Sequence, residues 1–327
     1  MAEQILPNLY RIEIPLQGNP LKAVNCYLIK GGDRFLLIDT GWNQQECKDK
    51  MLSELGALGV DLRKTDIFIT HMHADHCGLA AELVTGTSAV YFNDVEASAL
   101  NLETAKKREN DQELNDIYVL NGYPEDELRR SMESHPGRAH GLSRKIDFQI
   151  LKEGDALRVG DFCFRSIQTP GHSAGHMCLY EADMKILVAG DHILSDITPN
   201  IAFTLRAHNP LKKYLESLEK IYSMDIRLVL PGHRRAIDDH QARIGELREH
   251  HRVRLAEVVS ALKESDKTAY EVAPFITWNI GFNSWERFPY PPKRFAFGET
   301  LAHLKYLVGE GSVTQTAKRG QVTFSLA

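Results

Sequence analysis

Thr70 to His76 reads Thr-His-Met-His-Ala-Asp-His, three imidazoles and a carboxylate directly after the apolar run Asp66-Ile67-Phe68-Ile69. Neutral imidazole and carboxylate together suit zinc, iron or manganese. Three more apolar runs end in the same residue types. Arg165 to Gln168 leads into Thr169-Pro170-Gly171-His172, Ile186 to Ala189 into Gly190-Asp191, and Arg227 to Leu230 into Pro231-Gly232-His233. A single histidine is more often an ordinary core or surface residue. An ordered set, each member in a turn after a strand-like run, reads as a metal site.

His71, His73, Asp75, His76, His172, Asp191 and His233 make seven donors. One tetrahedral zinc takes four ligands, and a catalytic zinc leaves one of these to water. Seven suit two divalent ions, about 3.5–4 Å apart, that share a carboxylate and a bridging hydroxide. Water bound in this way is acidified to a pKa of about 7, so the hydroxide is the nucleophile and a metal holds the developing oxyanion. Asp75 is the catalytic candidate, because it can bind the second ion and also orient or accept the proton. No Gly-x-Ser-x-Gly elbow is required.

The motif His-x-His-x-Asp-His at 71–76, followed in order by His172, Asp191 and His233, resembles the metallo-β-lactamase superfamily over most of residues 20–235. The resemblance implies an α/β fold, an αβ/βα sandwich of two mixed sheets with helices outside and the metal site on loops at one edge. It implies that His71, His73 and His172 bind a first metal, that Asp75, His76 and His233 bind a second, and that Asp191 bridges both. Two zinc ions are expected first, with iron or manganese as alternatives. Asp39, in Asp39-Thr40-Gly41 at the end of a strand, supports the ligand loop in this family; a plain turn carboxylate is the other reading. Asp191 stands where zinc β-lactamases generally use cysteine, so antibiotic hydrolysis is not expected.

The chain has 327 residues, 43% of them hydrophobic, and a net charge of −5. That length suits a large domain plus a smaller one. The charge gives no global field toward nucleic acid or an anionic membrane. The start, Met1 to Pro7, lacks the basic and apolar regions of a signal peptide, and no apolar run reaches the roughly 20 residues of a membrane span. Five cysteines without a C-x-x-C pair read as reduced thiols in a cytoplasmic protein. Cys77 reads as a small buried residue rather than a thiol supporting the metals.

The periodicity predicts strands over Val24–Ile29, Arg34–Asp39, Ile67–Thr70 and Ala89–Phe92, and helices over Glu46–Leu58 and Gly78–Val84. Asp94 is the expected cap of the next helix. Residues 101–147 read as a helical cap inserted in a catalytic domain of 1–240, with Tyr118, Tyr123 and His140 as candidates to reach the pocket. Asn200, His192 and His208 follow Asp191 closely enough to border the site. Pro210–Ile221 and Gln241–Lys263 are expected helices. In 241–327, Thr268–Phe275 and Ala296–Val308 read as helices, Trp285–Pro292 as a non-helical linker, and Ser312–Thr316 with Gln321–Ser325 as a hairpin. This order looks like a winged helix, similar to the module of the β-lactamase-like protein 2 branch.

The module is only slightly positive, with Lys318 and Arg319 at the wing tip. A packing or self-association role is therefore favoured over nucleic-acid binding. The aromatic stretch Phe275 to Phe297 offers a surface for a homo-oligomer. The expected function is hydrolysis of a small-molecule ester, thioester or lactone by a glyoxalase II-like or β-lactamase-like protein 2-like enzyme. The alternatives are a phosphodiesterase or ribonuclease guided by the winged module, and a metal-bearing binding protein without turnover.

Overall fold

The apolar runs become strands of two sheets. The computed structural model describes residues 1–101, 104–133, 139–278, 284–318 and 320–327; the expected wing-tip residue Arg319 and part of the aromatic stretch lie outside them. The first sheet carries seven strands in chain order: β1 (Glu3–Leu6), β2 (Leu9–Pro15), β3 (Ala23–Lys30), β4 (Phe35–Ile38), β5 (Thr65–Phe68), β6 (Val90–Phe92) and β7 (Gln149–Ile150). Its first half is antiparallel, and from β4 onward the pairs are parallel. The second sheet contains β8 (Ala156–Val159), β9 (Phe162–Gln168), β10 (Met177–Glu181), β11 (Ile186–Gly190) and β12 (Leu228–Pro231), in the order β12-β11-β10-β9-β8. Here β11 and β12 pair in parallel, and the other pairs are antiparallel.

Strand β4 shows how the layers form. Phe35 and Leu37 pack with Met51 and Leu55 of α1 (Gln45–Ala57). Leu36 and Ile38 pack on the opposite face with Phe164, Leu179 and Val188 of the second sheet. A strand covered on both faces reads as an unbroken apolar run. The parallel step from β4 to β5 needs a crossover, and α1 supplies it.

Between β5 and β6 the expected Gly78–Val84 helix is instead two single turns, α2 (Ala74–Cys77) and α3 (Ala80–Leu83). The next helix, α4 (Asp94–Leu100), is capped by Asn93 rather than Asp94; Asn93 Oδ1 accepts from Val95 N at 2.9 Å. The remaining helices set out among the described residues are α5 (Thr104–Leu120), α6 (Glu125–Glu133), α7 (Pro210–Tyr222), α8 (His240–Ala261), α9 (Ala269–Val272) and α10 (Tyr290–Gly309), followed by the hairpin β13 (Val313–Lys318) and β14 (Gln321–Leu326). Helix α10 begins six residues before the expected Ala296, with Pro291 and Pro292 in its first turn. The N–H groups there have no intrahelical partner, so proline removes nothing.

The chain divides into two compact units: 1–101, 136–199 and 217–243 form the first, and 102–135, 200–216 and 244–327 the second. The insertion expected at 101–147 is thus shared, with 102–135 in the second unit. The core of that unit joins Tyr118, Tyr123, Trp285, Phe297, Leu301 and Phe324. Of the aromatic stretch, Trp285, Phe288 and Phe297 are buried, while Phe275 and Phe295 are exposed. Among the described residues no helix is long and apolar enough to cross a membrane. All five cysteines are free, and Cys77 is buried with its thiol toward the Met72 carbonyl.

Candidate metal centre

The seven expected donors converge within the first unit. His71 and His73 follow β5, Asp75 and His76 lie on α2, His172 follows β9, Asp191 follows β11, and His233 follows β12. His73 Nδ1 lies 3.0 Å from both His71 Nε2 and His172 Nε2. In a second group, His233 Nε2 is 3.3 Å from Asp75 Oδ2, and His76 Nε2 is 3.9 Å from the same oxygen. Asp191 touches both groups: its oxygens lie 3.5 Å from His76 Nε2, 3.5 Å from His233 Nε2 and 3.6 Å from His172 Nε2.

The outer nitrogens fix which atoms face inward. His76 Nδ1 donates to Asp39 Oδ2 at 2.7 Å. His233 Nδ1 donates to the Ala23 carbonyl at 2.7 Å. Thr70 Oγ1 donates to Asp39 Oδ2 at 2.9 Å, which leaves its lone pair for His71 Nδ1–H at 3.0 Å. The network therefore places a proton of each of these three imidazoles on Nδ1 and turns Nε2 inward as the nitrogen that would meet a metal. Asp39 also accepts from Thr70 N at 2.8 Å, and it does so from a left-handed backbone at φ 58°.

His76 Nε2, His233 Nε2 and Asp191 Oδ1 are buried without a hydrogen-bond partner. Among the described residues no lysine or arginine pairs with Asp75 or Asp191. Imidazoles and carboxylates facing one another with no lysine or arginine among them fit divalent ions such as zinc, whose binding would displace any proton on the inner nitrogens. The backbone makes room for them. A Cβ on Gly232 would lie 2.5 Å from Asp191 Oδ1 and 2.7 Å from His76 Cε1. One on Gly190, whose φ is 47°, would lie 2.7 Å from His176 Nε2 and 2.8 Å from Thr70 Cβ.

Burial holds His71 well below the usual imidazole range, so that ring is neutral, the form that ligates. For His233 burial also pulls downward, but Asp191 and Asp75 outweigh it and push the ring up to about 10. For Asp75 burial pulls upward, and His76 and His233 outweigh it and bring the carboxyl to about 2.

Two supports escaped the sequence reading. His176 is buried, meets Thr169 Oγ1 through Nδ1 at 2.8 Å, and accepts Asp191 N through Nε2 at 3.1 Å. Glu96 accepts from two ligand-loop amides, Met72 N at 2.8 Å and Gly175 N at 2.6 Å. His176 stands four residues after His172 and was legible as a further histidine of that turn. Glu96 carries no local signal.

His140 stacks on Trp42 with centroids 4.6 Å apart, and His192 is fully buried. Tyr118, Tyr123, Asn200 and His208 belong to the second unit. Both tyrosines are buried in its core, and the Tyr118 hydroxyl donates to the Phe203 carbonyl at 3.4 Å. Asn200 donates to Glu299 Oε2 at 2.8 Å, and His208 is exposed. That unit also gathers His250, His251 and Glu299, with ligand-type atoms within 4.8 Å of one another. Its Glu299 is paired with Arg254.

The model of the metallo-beta-lactamase superfamily matches residues 19–233, and the chain belongs to that family. Among its relatives, the probable metallo-hydrolase YqjP of Bacillus subtilis is 26% identical over 92% of each chain. The atrochrysone carboxyl ACP thioesterase nsrC of Aspergillus novofumigatus is 26% identical over 75% of this chain and 59% of that protein. The crystal structure of a metallo-beta-lactamase family protein from Thermus thermophilus superposes with a TM-score of 0.80 at 29% identity, covering 99% of this chain and 100% of that one.

Proposed function

We propose that the chain is a dinuclear metal hydrolase that cleaves the acyl bond of an ester, thioester or lactone. The observation that carries this reading is the inward convergence of buried His76 Nε2, His233 Nε2 and Asp191 Oδ1, none of which has a hydrogen-bond partner. His71, His73 and His172 would hold one divalent ion, zinc first and iron or manganese next. Asp75, His76 and His233 would hold the other, with Asp191 against both groups. Two such ions supply a water acidified to a pKa of about 7 and a Lewis acid for the acyl oxygen. Asp75, drawn to about 2, is a carboxylate throughout the neutral range and can orient or accept the proton of an attacking water. Thr70, Asp39 and the Ala23 carbonyl hold the imidazole protons on the outer nitrogens.

The thioesterase named among the relatives supports an acyl substrate, and thioesters come first among those to be tried. In the second unit, helices α8 to α10 precede the hairpin, and Lys267 pairs through its backbone with Phe324. We read this as a winged helix that serves packing or self-association. Free thiols and a chain without a membrane-spanning helix among its described residues support a cytoplasmic setting for the same proposal.

The test is a panel of acyl thioesters, lactones, aryl esters, phosphodiesters and short RNA, run on wild type and Asp75→Ala with metal content measured. Turnover of acyl substrates by wild type with about two metals per chain, lost in Asp75→Ala, is expected. Cleavage of RNA or phosphodiesters alone would overturn the acyl reading.

A further inference from the structure

We propose that Glu96 is the positioning residue that sets His172 against the His71–His73 pair. The inference rests on the metal reading above and extends it to a residue outside the donor set. Glu96 lies on α4 with its side chain buried. One carboxylate oxygen accepts Met72 N at 2.8 Å, and Met72 stands between His71 and His73 in the loop leaving the first sheet. The other accepts Gly175 N at 2.6 Å, three residues beyond His172 in the loop leaving the second sheet. A single side chain thus fastens two loops that no strand pairing joins directly, since β5 and β9 belong to different sheets.

The fastening is tight and specific to one end of the site. Hydrogen bonds to an ionised carboxylate are roughly twice as strong as neutral ones. Gly175 lies so close that a Cβ there would stand 2.8 Å from Glu96 Cγ and collide with Asn93 Oδ1. The three nitrogens of His71, His73 and His172 draw two members from one fastened loop and one from the other. The second group is held by different atoms, His76 by Asp39 and His233 by the Ala23 carbonyl. Altering Glu96 should therefore loosen the His71–His73–His172 group and leave the Asp75–His76–His233 group in place.

The experiment is cobalt(II) titration of the full-length metal-free protein, following the visible absorption of the bound ion and its stoichiometry. His172→Ala and His233→Ala identify the signal of each group. In Glu96→Gln the amide nitrogen cannot accept, so one loop loses its anchor. Gly175→Ala leaves the carboxylate intact but displaces the loop from it. Both variants should weaken the first group by about 10–100-fold, the scale of outer-shell substitutions, with affinity at the second group unchanged. If Glu96→Gln does not fold, Gly175→Ala carries the same test. Unchanged affinity at both groups overturns the positioning role, as does an equal loss at both that follows a fall in melting temperature. A wild-type protein that takes up no cobalt instead overturns the metal reading itself.

Discussion

Among the described residues each unit holds a histidine-rich cluster, and the two differ in what faces their carboxylates. In the first unit the imidazole Nδ1–H groups point outward to Asp39, Thr70 and the Ala23 carbonyl, which leaves Nε2 turned inward. In the second, His303 Nδ1 donates to the Glu299 carbonyl at 2.8 Å, and His303 Nε2 meets His251 Nδ1 at 3.1 Å. Imidazoles also meet one another at 3.0 Å in the first unit, and His251 Nε2 is left without a hydrogen-bond partner as His76 Nε2 and His233 Nε2 are. The carboxylates are what differ. Asp75 and Asp191 face only imidazoles, whereas Glu299 has Arg254 and Asn200. Arg254 already supplies the cation that a metal would otherwise provide. A count of histidines and carboxylates therefore does not define a metal site; the absence of a resident guanidinium distinguishes the first cluster from the second.

The largest effect should come from stripping the first cluster. A chelator is expected to abolish hydrolysis, and added zinc to restore it, while His251→Ala keeps the wild-type metal content. Loss of metal in His251→Ala, measured by elemental analysis, would break the contrast between the clusters. Next is Arg254→Met, which leaves the Glu299 carboxylate buried without its partner. Removing one member of a buried ion pair costs about 3–5 kcal/mol, to be read from urea unfolding, with metal content unchanged. Uptake of an additional metal by this variant would sharpen the comparison, since Arg254 would then be what keeps a cation out.

Asp39→Asn should come third, lowering metal affinity by about 10–100-fold; unaltered affinity in a competition titration would show that the His76 bond to Asp39 is dispensable. Tyr118→Phe should be smallest. It loses one long hydrogen bond within a core, so a stability change of no more than about 1 kcal/mol is expected, with kcat unaltered. A fall in kcat would return Tyr118 to the list of substrate contacts.

The expected donors were legible because two independent signals coincided on each: an apolar run long enough for a strand, and a turn marked by glycine, proline or a second histidine. Strand β4 was legible for the related reason that both its faces are covered. Glu96 was not, because its partners Met72 and Gly175 are set by tertiary packing and α4 gives no pattern that singles it out. Pro291 and Pro292 misled the reading of α10, since proline breaks a helix interior but is neutral in a first turn. The assignment of 102–135 to the second unit was hidden for a different reason. Its apolar residues, such as Tyr118 and Leu128, pack with Trp285 and Phe297, more than a hundred residues away.

Gly190 and Gly232 give part of the centre a floor of bare backbone, against which even one added carbon would strike the donors or their supports. That floor leaves selection almost no room to remodel the inner wall. His73, by contrast, is exposed. A lineage that acquires a new substrate must therefore rewrite the solvent-facing rim and inherit the floor unchanged.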